Sequence, residues 1–518
     1  MLLAVAVGST HSCTCSPPIL HAVAPDRAYP RQIIALDVEG TFTEILWDAG
    51  TDKEVGLTHS WLVTPYLQVP EDAEAGEHKV AVWNPGGRSA ERTVTVLEAS
   101  GTFPPPRIET VTIYSARVEE GELVLILMVA AANLDMQAEL SVDGHDVPTV
   151  FFSALPVPYL LDHVPKTFGY PVYHYGQVAG VVKGASWGDG LKIVVTNTDG
   201  EEAELLWWLP LDAESLDSDG DGLTDAQETS TAGLNLPAFG VHRLRKDILV
   251  EVDWMDGATP DPAAWSNAEA VFADAPVLNP DGSAGINLVV DRGQGGPHTG
   301  GGDVLTAAAH IGFAEPEPDA SDDYAYFYDF KDDAFAADRL KVFRYCVSAY
   351  GTASGLSGQG EVPGDDFFLA LADSWRWGTP RYEAALFVHE LGHTMGLRHG
   401  GHYEGQVDDD VLWENKPNHP SVMSYLYMWD GISVDGDLEP DEPPVYTYSE
   451  GQLKTLHETE IDEKTGILDD IPLDLNGDGD ETDSGAMDLN GDSNQNESFR
   501  DYDQWGLARL FIPKDGSD

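Results

Sequence analysis

Residues 389–399 read H-E-L-G-H-T-M-G-L-R-H. His389 and His393 are four apart, so on an α-helix they share one face and can hold one ion. Glu390 follows the first histidine and lies near that face, placed to take a proton from a water at the metal. Gly396 comes three residues after the second histidine, and glycine supports the left-handed conformation that ends a helix and turns the chain. The turn can bring His399 back as a third ligand. Three neutral imidazoles and one water make the open tetrahedral zinc site used for hydrolysis. A helix with surface histidines would explain one of these residues. It would not explain three at ligand spacing with a glutamate and a glycine in place.

A second stretch agrees. Residues 417–425 read P-N-H-P-S-V-M-S-Y. The chain resembles the metzincin metallopeptidases in His389, Glu390, His393, Gly396, His399 and Met423, a clan marked by a methionine turn beneath three zinc histidines. Tyr425, two residues past Met423, also matches the astacin and serralysin branches, in which the tyrosine sits near the zinc and helps stabilise the transition state. Gly400, directly after the third ligand, matches neither branch. The wider runs M-G-L-R-H-G-G and K-P-N-H-P-S-V-M-S-Y look like those of secreted microbial metzincins. The resemblance implies a secreted zinc endopeptidase with Glu390 as general base and Tyr425 as a second catalytic residue. It makes Met423 an apolar floor under the imidazoles rather than a ligand. His402 and His419 lie outside the spacing and are expected in the cleft wall. The alternative is a surface adhesin or binding protein whose peptidase domain holds zinc but cleaves weakly or not at all. Glu390 argues against that alternative, because a structural zinc site needs no base and prefers four protein ligands.

These residues need elements to hold them. Thr379-Pro380 reads as an N-cap followed by proline at the first helical position. Phe387, Val388, Leu391 and Met395 then supply the core side of the zinc helix. Upstream, Asp247–Trp254 reads as a buried strand, Pro262–Ala273 as an amphipathic helix, and Ile286–Asp291 and Lys341–Ala349 as further strands. This β-α-β order places a catalytic unit at residues 238–515. The insert Gly293–Asp333 reads as loop. Gly360–Leu371 is expected to edge the cleft, where an extended peptide could add a strand.

Before this unit comes D-S-D-G-D-G-L-T-D-A-Q-E, residues 217–228. Asp217, Asp219, Asp221, Asp225 and Glu228 fall at calcium-loop positions one, three, five, nine and twelve, with Gly222 at six. The loop resembles those of thrombospondin type 3 repeats, and residues 212–235 are expected to stiffen a junction by binding calcium. D-L-N-G-D occurs twice more, from Asp474 and Asp488. Position twelve there is Gly485 and Phe499, so neither loop supplies its own closing carboxylate.

Residues 17–98 and 104–211 show short alternating runs broken by Gly and Pro, the pattern of β-sandwiches. The runs P-P-I-L-H-A-V-A-P and A-G-E-H-K-V-A-V-W-N-P-G-G-R-S resemble an IPT/TIG immunoglobulin-like domain, which implies a spacer or binding module. Trp207 and Trp208 are adjacent, so one faces in and one faces out, and the outer one could touch a glycan or cell surface. The expected fold class is therefore multidomain, with N-terminal all-β immunoglobulin-like sandwiches followed by an α+β metzincin-like zinc peptidase domain.

Residues 1–16 look like a leader remnant, which points to a secreted or cell-surface protein. No apolar run is long enough for a transmembrane helix. The 89 acidic and 28 basic residues give a net charge of −61, which argues against nucleic acid as a partner, while the metzincin resemblance implies protein or peptide substrates. Three cysteines form no disulfide framework.

Overall fold

The computed structural model describes residues 17–512 except 25–26, 40–41, 52, 58–64, 98–104, 120–121, 157–173, 316–322, 402–415, 433–444, 452, 468–471, 477–478 and 491–492. The leader with Cys13 and Cys15, and His402, lie outside the described residues. The chain is β-rich and multidomain. No helix among the described residues is long and apolar enough to cross a membrane.

In the first unit, Ile19–Ala24, Ile33–Glu39 and Tyr66–Gln68 form one sheet. Glu44–Trp47, Gly76–Asn84 and Arg92–Val96 are the main strands of another. Leu20, Leu36 and Leu67 from the first sheet share a core with Trp47, Val80 and Val94 from the second. Every second residue of a strand faces the same way, so two such sheets bury one face each.

The second unit repeats the scheme with longer strands. Arg107–Glu119, Glu122–Ala132, His174–Ala185 and Thr149–Pro156 form one sheet; His145–Val147, Glu139–Val142, Gly190–Thr196 and Glu202–Trp208 form the other. On the last strand Trp207 packs on the core while Trp208 is 65% exposed. The two units are joined by more than their linker. Ile33 and Tyr66 of the first lie in the core of the second. Arg31 Nη2 donates to Asp135 Oδ2 at 2.8 Å, and Gln68 Nε2 donates to Asp135 Oδ1 at 2.6 Å. Asp135 is fully buried.

The third unit is built on a sheet ordered Asn287–Asp291, Asp247–Met255, Arg344–Ala349, Asp366–Ala370 and Gly358–Gly360. The first four strands are parallel and the last is antiparallel. Helices Pro262–Ala273 and Pro380–Thr394 cover one face, where Trp265, Phe272, Phe387 and Leu391 meet Val250, Val252 and Phe367. Tyr345, Val347 and Phe368 point to the other face, against Phe239, Phe327 and Phe335. A sheet covered on both sides buries its strands on both faces, and eight of the nine residues of Asp247–Met255 are buried, the carboxylates of Asp247, Glu251 and Asp253 among them.

Two expectations change here. The cleft edge is Gly358–Gly360, whereas Asp366–Ala370 is an inner strand with all five residues buried. Phe367, Phe368 and Leu369 supply apolar groups to both faces, which suits an interior position. The insert is also not all loop. His310–Gly312 pairs with Tyr324–Tyr326, and helix Phe327–Ala334 follows. Its aromatic run lets Phe327 bury fully against Tyr345 and Phe368.

Candidate metal centre

Helix Pro380–Thr394 starts as its sequence suggests but is held differently. Pro380 takes the first helical position, yet the Thr379 hydroxyl makes no capping bond. Glu383 does that work instead. Its carboxylate accepts the N–H groups of Gly378 and Asp261, each at 2.7 Å, and so ties this helix start to that of Pro262–Ala273.

At the other end, Gly396 has φ +89°, and its N–H donates to His393 O at 2.8 Å. The Leu397 N–H donates to Gly392 O at 3.0 Å. This is the paired bonding of a left-handed helix stop, and it folds His399 back over the helix. His399 Nε2 then lies 3.2 Å from His389 Nε2 and 3.1 Å from His393 Nε2. An alanine at 396 would sit where L-residues are strained. Gly396→Ala should lower stability by about 1–2 kcal/mol and reduce bound zinc, read by thermal melting and metal analysis.

Two of the three imidazoles are oriented from behind. His389 Nδ1 donates to Val422 O at 2.9 Å and His393 Nδ1 to Leu397 O at 2.8 Å. That leaves the Nε2 lone pairs of both rings facing His399 Nε2. Burial, then the neighbouring imidazoles, holds the His389 ring well below the usual histidine range and that of His393 at about 3. Neutral rings offer no proton to share between the lone pairs, so a Lewis acid fits the space. Tetrahedral nitrogen ligands about 2.05 Å from zinc lie roughly 3.3 Å apart, close to the separations seen.

Met423 is fully buried beneath the helix, and a Cβ on Gly392 would come within 2.5 Å of its sulfur. The close approach requires glycine at 392. Tyr425 is 41% exposed, and its ring centre lies 4.2 Å from that of His399 and 6.0 Å from that of His389. It therefore borders the open side of the centre. The Glu390 carboxyl is buried, which pushes its pKa well above the usual carboxylate range, while the Gly360 N–H pulls it part of the way back. A Cβ on Gly358 would meet Glu390 Oε1 at 2.6 Å, and one on Gly360 would meet Glu390 O at 2.6 Å. The edge strand lies this close to the helix because it carries no side chains there. His419 is buried, with Nδ1 2.8 Å from Asp501 Oδ1, apart from the three-histidine group.

A carboxylate cluster forms a second group. Asp217, Asp219 and Asp221 converge, and Asp221 also meets Glu228 and Asp247. Asp225 does not join them. Its carboxylate accepts the Ser218 N–H at 2.9 Å and pairs with Arg243 Nη1 at 3.2 Å. Asp247 was missed because it heads a core strand; the only signal is a charge opening the run D-I-L-V. A third group, Glu361, Asp365 and Asp366, holds its own cation, since Lys331 Nζ lies 2.8 Å from Asp366 and 3.2 Å from Asp365. In the two later loops Gly479 N donates to Asp474 Oδ2 at 2.7 Å and Ser493 N to Asp488 Oδ2 at 2.8 Å. Gly222 N donates to Asp217 Oδ2 in the same way at 2.9 Å. Ser493 even takes the positive φ of its glycine counterparts.

No known family profile matches the chain, and no curated protein matches it. Solved structures match parts of it. One, described as a crystal structure with xylogluco-oligosaccharide, is 16% identical over 37% of this chain and 41% of that one, with a TM-score of 0.13. SGBP-B from a complex xyloglucan utilization locus in Bacteroides uniformis is 14% identical over 38% of this chain and 50% of its own, with a TM-score of 0.15. Gamma-CGTase from Alkalophilic bacillus clarkii is 15% identical over 38% of this chain and 26% of its own, with a TM-score of 0.14. The chain spans half or less of each of these proteins, and likeness at this level carries no argument about function.

Proposed function

We propose that the chain is a secreted or cell-surface zinc endopeptidase of metzincin type that hydrolyses protein or peptide substrates. The observation that carries this reading is the convergence of three imidazole nitrogens next to a buried glutamate and a bare strand edge. Zinc held by His389, His393 and His399 would supply a Lewis acid that polarises the scissile carbonyl and acidifies water. Glu390 takes the proton of the attacking water and delivers it to the leaving nitrogen, so the broken C–N bond ends as a carboxylate and an amine. Tyr425, on the open side, donates a hydrogen bond to the oxyanion, an interaction worth about 3 kcal/mol where such donors have been removed. Gly358–Gly360 offers backbone groups to an extended substrate, which would lie alongside as an added strand.

A second reading, a surface-binding protein with a weak peptidase domain, is favoured by one observation. Trp208 and Leu206 are 65% and 61% exposed on the same face of their strand. Metal analysis and proteolysis measured together separate the two. Wild type should carry one zinc at this centre and cleave an unfolded protein substrate. His399→Ala should lose both, with affinity for zinc falling by at least about a hundredfold. Zinc-loaded wild type that leaves a broad peptide library intact would favour the binding reading. Unchanged zinc content in His399→Ala would remove the third ligand.

A further inference from the structure

We propose that Asp217, Asp219, Asp221, Glu228 and Asp247 form a calcium site clasping the loop to the third unit's inner strand Asp247–Met255, with Asp225 outside the ligand set. The proposal starts from oxygens that have no donor. Both Glu228 carboxylate oxygens and Asp219 Oδ2 are buried with no hydrogen-bond partner, and these residues are only 2% and 1% exposed. An ionised carboxylate only accepts, so when buried it needs donors or a cation. Two bases lie near. Arg243 pairs with Asp225, and the Lys246 ammonium, whose charge reaches Asp217, Asp219 and Asp221, donates to the backbone oxygen of Asp219 and pairs with none of the three carboxylates. Among the described residues none of the five carboxylates is in an ion pair. An all-oxygen set with five carboxylates and no nitrogen or sulfur suits calcium, which accepts six to eight oxygens in a flexible shell.

The ligand set changes what the ion would do. Asp247 opens that inner strand, and its N–H already donates to Asp221 Oδ2 at 2.7 Å. Gly222 lies against Phe511, which leaves no room there for a Cβ. The adjoining Leu510 O accepts Arg344 Nη2 at 2.8 Å, and Arg344 Nε donates to Thr394 Oγ1 at 3.0 Å, in the last turn of the three-histidine helix. The clasp therefore joins the loop, the sheet, the C-terminal segment and that helix end. Calcium binding here does not depend on the peptidase reading, so the test reads calcium and never cleavage.

The full chain, stripped of calcium on a chelating resin with zinc held constant, is titrated with calcium chloride by calorimetry and melted with and without it. Wild type should bind calcium and gain about 10 °C at saturation. Asp247→Asn and Glu228→Gln should each lose one calcium per chain relative to wild type, or weaken that site at least tenfold. Asp225→Asn should keep it within about threefold. An amide in place of a repelled carboxylate relieves the ion-free loop, so these variants keep their fold, which circular dichroism verifies. Wild type that neither binds calcium nor shifts its melting point overturns the site. Loss in Asp225→Asn with retention in Asp247→Asn overturns the ligand set. An equal response to magnesium overturns the choice of ion.

Discussion

Glu390→Gln should keep its zinc and lose peptide hydrolysis by at least about a thousandfold, with the fall in kcat rather than in KM. The three imidazoles are untouched by the change, and the orientation of His389 and His393 rests on the carbonyls of Val422 and Leu397, not on Glu390. Glutamine fills the same volume against Gly358 and Gly360, so the strand edge stays where it is. What disappears is the only group in the proposal that can accept the water's proton. Metal analysis together with kinetics on a fluorogenic peptide decides the matter. Activity within tenfold of wild type would remove Glu390 from its role, and loss of zinc would make its role structural.

Arg339→Met should destabilise the chain by about 3–5 kcal/mol, a large share of the roughly 5–15 kcal/mol that holds a domain folded. Arg339 is buried, and its guanidinium spans Glu251 Oε2 and Asp291 Oδ2, both at 2.5 Å, while packing 4.2 Å from the Phe343 ring centre. Methionine keeps the apolar contact and strands two buried carboxylates. The defect should grow with pH. Burial pushes Glu251 up to about 7 even with the charge and hydrogen bond of Arg339 drawing it down, so losing Arg339 raises it further. The value lies above that of the unfolded chain, so the folded state keeps a proton that the unfolded state has released. The stability this group contributes is complete below about pH 4 and is lost as pH rises through 7, with more of it lost in the variant. Urea midpoints should therefore show a smaller gap between variant and wild type at pH 5 than at pH 8. A gap that does not change with pH would mean this carboxyl does not titrate with folding.

The three-histidine cluster was readable because helical geometry converts spacing into position: residues four apart share a face whatever surrounds them. The sandwiches were readable for the same reason, through alternation along strands. Contacts between distant segments left no such trace. Asp247 reaches Asp221 across 26 residues, and Arg31 reaches Asp135 across 104. Asp225 had the right spacing for a ligand, but Arg243, which comes later in the chain, draws its carboxylate away. Thr379 had the right type for a cap, but Glu383 captures two N–H groups from different segments. The strand edge was misplaced by a few residues because neither pattern nor composition tells an inner strand from its neighbour; the apolar groups on both faces of Phe367–Leu369 were the clue.

The joint between the two sandwiches limits how the molecule could be shortened. Cutting away residues 17–98 would strip Ile33 and Tyr66 from the adjoining unit's interior and leave Asp135 without Arg31 and Gln68. The remainder would begin with a bare acid and a hole where two side chains had been. Trimming between these modules would therefore damage what it spared, so the pair is best regarded as one inseparable forearm in front of the third unit.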